Sequence, residues 1–146
     1  MSLYKNKKVV VTGGSGFVGT HFIQELLDRG ANVRTSIHKT PLKIQDDRIE
    51  VLKNIDLTKL DDAMKLVEGV DFVIHCAGYI GHPSSIPTDY QIGLNQINVI
   101  TNVLEACYKQ GVKRFLDLNS STGYPDRRYP ICLLYTSDAA DDFTSV

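Results

Sequence analysis

Gly13, Gly16 and Gly19, spaced through Thr12-Gly13-Gly14-Ser15-Gly16-Phe17-Val18-Gly19, constrain this chain more than any other feature. Ahead of them Lys7 to Val11 carries a β-branched apolar run bounded by charge. Behind them Phe22, Ile23, Leu26 and Leu27 recur at helical spacing. The order is therefore strand, glycine turn, helix. In such a turn Gly13 permits the tight bend, Gly16 lets backbone approach an anion, and Gly19 lets the helix pack closely on the strand. Phe17 and Val18 open the helix, whose first N–H groups lack carbonyl partners and face the anion. The result is a seat for a dinucleotide pyrophosphate. Taken alone, the turn also reads as a plain strand-to-helix connection. A P-loop is disfavoured, because it needs Lys and then Ser or Thr after the last glycine, where this chain has Thr20 and His21.

The rest of the chain alternates strand and helix periods, which predicts a parallel sheet covered on both faces. The first helix is expected from about Gly16 to Arg29, stopped by Gly30, with a second strand over Asn32 to Ile37. A short strand near Glu50 to Lys53 leads to a helix capped by Thr58 and closed by Gly69. A fourth strand follows at Asp71 to His75. A long helix from about Thr88 to Gln110, with Ile97, Ile100, Leu104 and Cys107 on its inward stripe, ends at Gly111 and feeds a fifth strand at Arg114 to Leu118.

The chain has 146 residues, 42% of them hydrophobic, with a formal net charge of -1 and an isoelectric point near 6.4. That balance suits one soluble α/β unit and carries no nucleic-acid footprint. The apolar core at Val9 to Val11 is too short for a signal peptide and no stretch is long enough to span a bilayer, so the expected location is cytoplasmic, with no membrane partner. Cys76, Cys107 and Cys132 form no CxxC pair and read as reduced packing residues. His75, Cys76 and His82 do not stand at zinc-site spacing, and no metal is expected.

In this setting the chain resembles an extended short-chain dehydrogenase/reductase of the NAD-dependent epimerase/dehydratase family over about residues 5 to 131. The likeness rests on TGGSGFVG at Thr12 to Gly19, Asp56-Leu57 after strand three, HCAGYIG at His75 to Gly81, NVITNVLEA at Asn98 to Ala106, and SSTGYP at Ser120 to Pro125. With Asn102 as anchor, Val99 stands where a glycine is usual. The resemblance implies a Rossmann-type doubly wound parallel sheet, cut off after about the fifth strand. It also implies reversible hydride transfer between a nicotinamide and a carbinol, usually on a nucleotide-activated sugar. Carried over residue by residue, Ser120 is the catalytic hydroxyl that bonds the reacting oxygen, and Ser121 lies nearer the substrate. Tyr79 begins a loop that forms a substrate lip or a plain connection. Asp56 contacts the adenine, or else caps the coming helix, and Leu57 packs beside it. Cys76, Ala77 and Gly78 bring backbone close to the nicotinamide ribose. A homodimer through the long helices is expected of the full-length protein.

Two departures matter. The family's acid/base pair is a Tyr-x-x-x-Lys motif, in which the Lys charge lowers the Tyr pKa. The only Tyr four residues before a Lys is Tyr4 with Lys8, ahead of the first strand, where the spacing is coincidental. Residues 132–146, beginning CLLYTSDAADD, resemble a translated sequencing adapter, so the expected division is an incomplete NAD(P)-binding domain over 1–131 and a non-native tail over 132–146. The expected function is the cofactor-binding part of a sugar-nucleotide epimerase, dehydratase or reductase, inactive as this piece. The alternative is a non-catalytic NAD(P)-binding regulatory module.

Cofactor choice turns on the end of strand two, where an acidic residue would bind the ribose 2′-hydroxyl of NAD. Ile37 holds that place, followed by His38 and Lys39 with Arg34 nearby. These basic groups suit a 2′-phosphate or are simply solvated. The reading favours NADP over NAD.

Overall fold

A computed structural model describes residues 3–37, 40–78 and 90–118. Five strands, β1 (Lys8–Thr12), β2 (Asn32–Ile37), β3 (Ile49–Lys53), β4 (Phe72–His75) and β5 (Arg114–Asp117), alternate with α1 (Phe17–Asp28), α2 (Leu60–Val67) and α3 (Tyr90–Lys109). The strands form one sheet in the order β3-β2-β1-β4-β5, and every neighbouring pair is parallel. The sheet is covered on both faces, as expected of parallel strands.

The pleat decides which residue goes where. Val9 and Val11 of β1, with Phe72 and Ile74 of β4, meet Ile23, Leu26 and Leu27 of α1 on one face. Val10 and Val73 point the other way, against Ala63, Leu66 and Val67 of α2 and Val103, Ala106 and Cys107 of α3. The chain leaves β1 toward β2 on one side and returns to β4 on the other. The strand order thus reverses at β1, and a crevice opens at the carboxyl ends of β1 and β4.

Gly30, Gly69 and Gly111 all adopt positive φ just past the three helices, which supports their reading as stops. Two expectations are corrected. The N-cap of α2 is Lys59, which makes no side-chain cap bond. The Thr58 hydroxyl instead donates to Asp56 Oδ1 at 2.6 Å, so its oxygen is drawn away from the helix. The inward face of α3 is Val103, Ala106 and Cys107, whereas Ile97 and Leu104 are exposed at 58% and 50%. The helix is rotated from the expected stripe, and Val103, Ala106 and Cys107 pack in one cluster with Ala63, Leu66 and Val67 of α2. Tyr90, Leu94, Ile97, Leu104 and Tyr108 consequently form an exposed apolar row along α3.

Candidate functional site

The turn after β1 is built around close backbone contacts. Gly13 has φ +66°, and a Cβ there would stand 2.8 Å from the Cys76 carbonyl oxygen and 2.9 Å from Ala77 Cα and N. Gly19 is crowded differently, since its Cβ would overlap the Gly13 carbonyl oxygen. The first turn of α1 therefore packs on the glycine turn itself, and the turn packs on the segment after β4. Gly16 is the N-cap with no side-chain cap bond, and the first turn of α1 carries no acidic residue. The positive end of the helix dipole and its free N–H groups are left for an external anion.

A cavity of about 550 Å³ opens at this edge of the sheet. Gly13 and Gly16 border it on one side, Asp56 and Leu57 at the end of the β3 connection on another, and Cys76, Ala77 and Gly78 on a third. Seven expected cofactor residues thus converge on one concavity. Phe17, Val18 and Gly19 are not among the residues that line it, and Phe17 is 82% exposed. His38, Lys39, Tyr79, Ser120 and Ser121 lie outside the described residues.

Several contributors escaped the sequence reading. Ser15, Ser36 and Thr40 line the cavity, and so do Asn95, Gln96 and Val99 of α3, one helical turn apart on one face. The Ser15 hydroxyl is buried and has no hydrogen-bond partner among the described residues. A buried hydroxyl without a partner is costly. Beside Gly13, Gly16 and the start of α1 it is the donor a phosphate oxygen requires, and these residues fit a dinucleotide pyrophosphate. The alternation of β2 was the available signal for Ser36. Ser15 had no signal beyond its place in the turn.

Arg34 does not serve this cleft. It is buried at 8% exposure, donates Nε to Glu50 at 2.9 Å, and sends Nη1 to the carbonyls of Glu68 at 2.8 Å and Leu66 at 3.1 Å. The alternation of β2 turns its side chain to the α2 face, where it closes the helix's last carbonyls. The supposed 2′-phosphate ligand is a structural cap. Asp56 does not cap α2, whose N-cap is Lys59; its carboxylate accepts instead from the Thr58 hydroxyl and the Thr58 amide, the latter at 3.1 Å. Those bonds hold its carboxyl below the usual range, while the residue still borders the cavity. Asn102 donates to the Leu57 carbonyl at 3.2 Å and ties α3 to the same wall. Burial pushes the Cys76 thiol up to about 11, so it is protonated at neutral pH and is no nucleophile. Tyr4 stands edge-on to Phe72 and Lys8 pairs with Glu50 at 2.9 Å. Both lie at the amino edge of the sheet, away from the cavity.

An open parallel sheet whose strand order reverses beside a glycine turn and the start of a helix defines an α/β fold of Rossmann type. The sequence profile of the NAD dependent epimerase/dehydratase family matches residues 9–139. The chain belongs to that family. The expected boundary at 131 falls inside the match. The chain is 34% identical over 119 residues to a 3 beta-hydroxysteroid dehydrogenase/Delta 5-->4-isomerase of Mycobacterium tuberculosis, covering 79% of this chain and 32% of that protein. It is 28% identical over 124 residues to the GDP-mannose 3,5-epimerase of Arabidopsis thaliana, covering 84% of this chain and 33% of that protein. Among solved structures, the epimerase Mth375 of Methanothermobacter thermautotrophicus superposes with a TM-score of 0.75 at 28% identity, over 88% of this chain and 39% of that one. The chain thus spans about a third of the length of the curated relatives it matches. Among the described residues, no helix is long and apolar enough to cross a membrane.

Proposed function

We propose that this chain is the cofactor-binding part of an NAD(P)-dependent oxidoreductase or epimerase acting on a nucleotide sugar, and that it favours NADP. The observation that carries the reading is the convergence of Gly13, Gly16, Asp56 and Cys76 to Gly78 on one cavity that Ser15 also lines, its buried hydroxyl unpaired among the described residues. When bound, a nicotinamide dinucleotide supplies hydride transfer to or from a carbinol carbon. The chain's own residues do the holding. Ser15 and the amides at the start of α1 take the pyrophosphate, Asp56 and Leu57 border the adenine, and the backbone of Cys76 to Gly78 borders the nicotinamide ribose.

NADP is favoured by what stands at the carboxyl end of β2. Ser36 and Thr40 line the cavity, Ile37 occupies the place of the acidic residue, and Lys39 adds positive charge beside His38 in the sequence. Asp56 is the one carboxylate among the described lining residues, and it is committed to Thr58. Ser120 is assigned the bond to the reacting oxygen and Ser121 and Tyr79 the substrate side. The family's Tyr-x-x-x-Lys pair would supply the acid/base step beside Ser120. Residues 132–146 are assigned to a non-native tail, the location to the cytoplasm, and the exposed α3 row to a homodimer contact of the longer protein. A 3β-hydroxysteroid-type substrate is the second reading, favoured by the 34% identity to the mycobacterial dehydrogenase.

A thermal-shift titration with NADP and NAD tests the reading. A ligand that binds only the folded state adds about 2.7 kcal/mol at a hundredfold excess over its dissociation constant, so the melt should rise with NADP and rise less with NAD. No shift with either would sink it.

A further inference from the structure

We infer that His75 is a positioning residue of the cofactor cleft: held as the neutral tautomer protonated on Nε2, it orients the Thr12 hydroxyl that fixes the Cys76-Ala77 backbone. The inference rests on the cofactor reading above and on a count of donors and acceptors. The Thr12 Oγ1 accepts the Cys76 amide at 3.1 Å and the Ala77 amide at 3.0 Å. A hydroxyl oxygen has two acceptor sites and one proton to give. Both acceptor sites are taken, and the third partner within reach is His75 Nδ1 at 2.9 Å. The hydroxyl must therefore donate to Nδ1, which leaves Nδ1 without a proton and places the ring's proton on Nε2.

Both side chains are buried, Thr12 at 0% and His75 at 4% exposure, so water does not substitute for a lost bond. The two amides belong to the segment that Gly13 touches at 2.8 to 2.9 Å, and Gly13, Cys76 and Ala77 all line the cavity. Releasing them changes the spacing of the two backbone walls of the cleft. A doubly protonated His75 would present Nδ1–H to an oxygen already accepting two N–H groups, and one of the three bonds must break.

The surroundings favour the neutral ring. The β1 neighbour Thr12 is uncharged, and Phe115 of β5 stacks at 5.9 Å between ring centroids. The adjoining Cys76 thiol is protonated. Among the described residues Asp117, paired with His75 in the β4–β5 register, is the charged group that bears on the ring; burial lowers the pKa and outweighs the upward pull of Asp117, so the net shift is downward.

Two measurements on this chain test the inference. Nitrogen-15 NMR of the ring at pH 7 should show an unprotonated Nδ1 and a protonated Nε2 for the histidine whose signals vanish in His75→Asn. Protonated Nδ1 overturns the inference whether or not any dinucleotide binds. Dissociation constants of NADPH are then followed from pH 8 to 5. The wild type should lose affinity as His75 gains its proton, by about tenfold. The His75→Asn variant, whose side-chain oxygen takes the place of Nδ1 and does not titrate, should bind with a flat profile over that step, and His75→Leu should be weaker than wild type at every pH. A wild-type profile unchanged by His75→Asn overturns the positioning role. Binding absent at all pH values in the wild type, with the expected tautomer in place, removes the cofactor reading and leaves the hydrogen-bond assignment standing.

Discussion

Replacing Arg34 by Met should destabilise the fold without altering cofactor choice. The guanidinium is buried and joins Glu50 on β3 to the carbonyls of Leu66 and Glu68 at the end of α2, at 2.9, 3.1 and 2.8 Å. The Lys65 carbonyl at 3.5 Å is at the limit of a bond. Hydrogen bonds from a charged donor contribute about 1.5 to 3 kcal/mol each. The Glu50 side chain is 44% exposed, so that pair counts for at most about 1 kcal/mol. Met keeps most of the apolar stem. The loss is then about 3 to 7 kcal/mol, a large fraction of the roughly 5 to 15 kcal/mol that separates folded from unfolded domains. Arg34→Lys should rescue little of it, because one ammonium cannot reproduce the fork that reaches two elements. Urea denaturation gives the stability, and titration with NADP and NAD gives their affinity ratio. A stability change within about 0.5 kcal/mol, or a selective loss of NADP affinity, would refute the reasoning.

Other perturbations separate the turn, the cleft and the surface. Gly13→Ala meets both a positive φ and the Cys76-Ala77 backbone, and should cost about 2 to 4 kcal/mol and abolish dinucleotide binding; retained affinity would show that the turn tolerates a side chain. Ser36→Asp, which adds a carboxylate at the cavity edge, should lower NADP affinity about tenfold or more and spare NAD, read by paired titrations. Asp71 binds Lys113 at 2.8 Å and Lys7 at 3.4 Å and accepts the Lys8 amide at 3.2 Å, and the Lys113 bond leads in holding its carboxyl at about 2. A carboxyl depressed in the folded state contributes stability above its unfolded value of 3.8 that is lost as pH falls toward 2. Asp71→Asn should therefore flatten the stability profile between about pH 4 and 2, measured by urea midpoints. The apolar row on α3 predicts concentration-dependent association, which Leu104→Glu should reduce in sedimentation experiments.

Long periodic segments were legible in the sequence. All five strands and three helices were anticipated within about two residues, because β-branched runs and glycine stops are local signals. The face of α3 was not. Ile97 and Leu104 are as apolar as any core residue, and only the packing against Ala63, Leu66 and Val67 of α2 decides that Val103 and Ala106 turn inward. The β2 side chains show the same limit: Arg34 and Ser36 share a face in an ideal pleat, yet the first is drawn under α2 and the second borders the cavity at the strand end. The glycine turn, Asp56 and Cys76 to Gly78 were legible because each imposes a backbone requirement. Ser15, Asn95 and Gln96 were not, since polar residues in a turn or on a helix carry no mark of the cavity they come to face. His75 was read only as the end of a strand. Its hydrogen bond to Thr12 spans 63 residues of sequence and exists only once β1 and β4 are paired.

The central claim is that the glycine turn and the segment after β4 together grip an adenine dinucleotide. Isothermal calorimetry of this chain with NADPH measures that directly. A saturable event with one ligand per chain, lost in Gly13→Ala, is the result predicted. A folded wild-type chain that takes up neither NADPH nor NADH would contradict it.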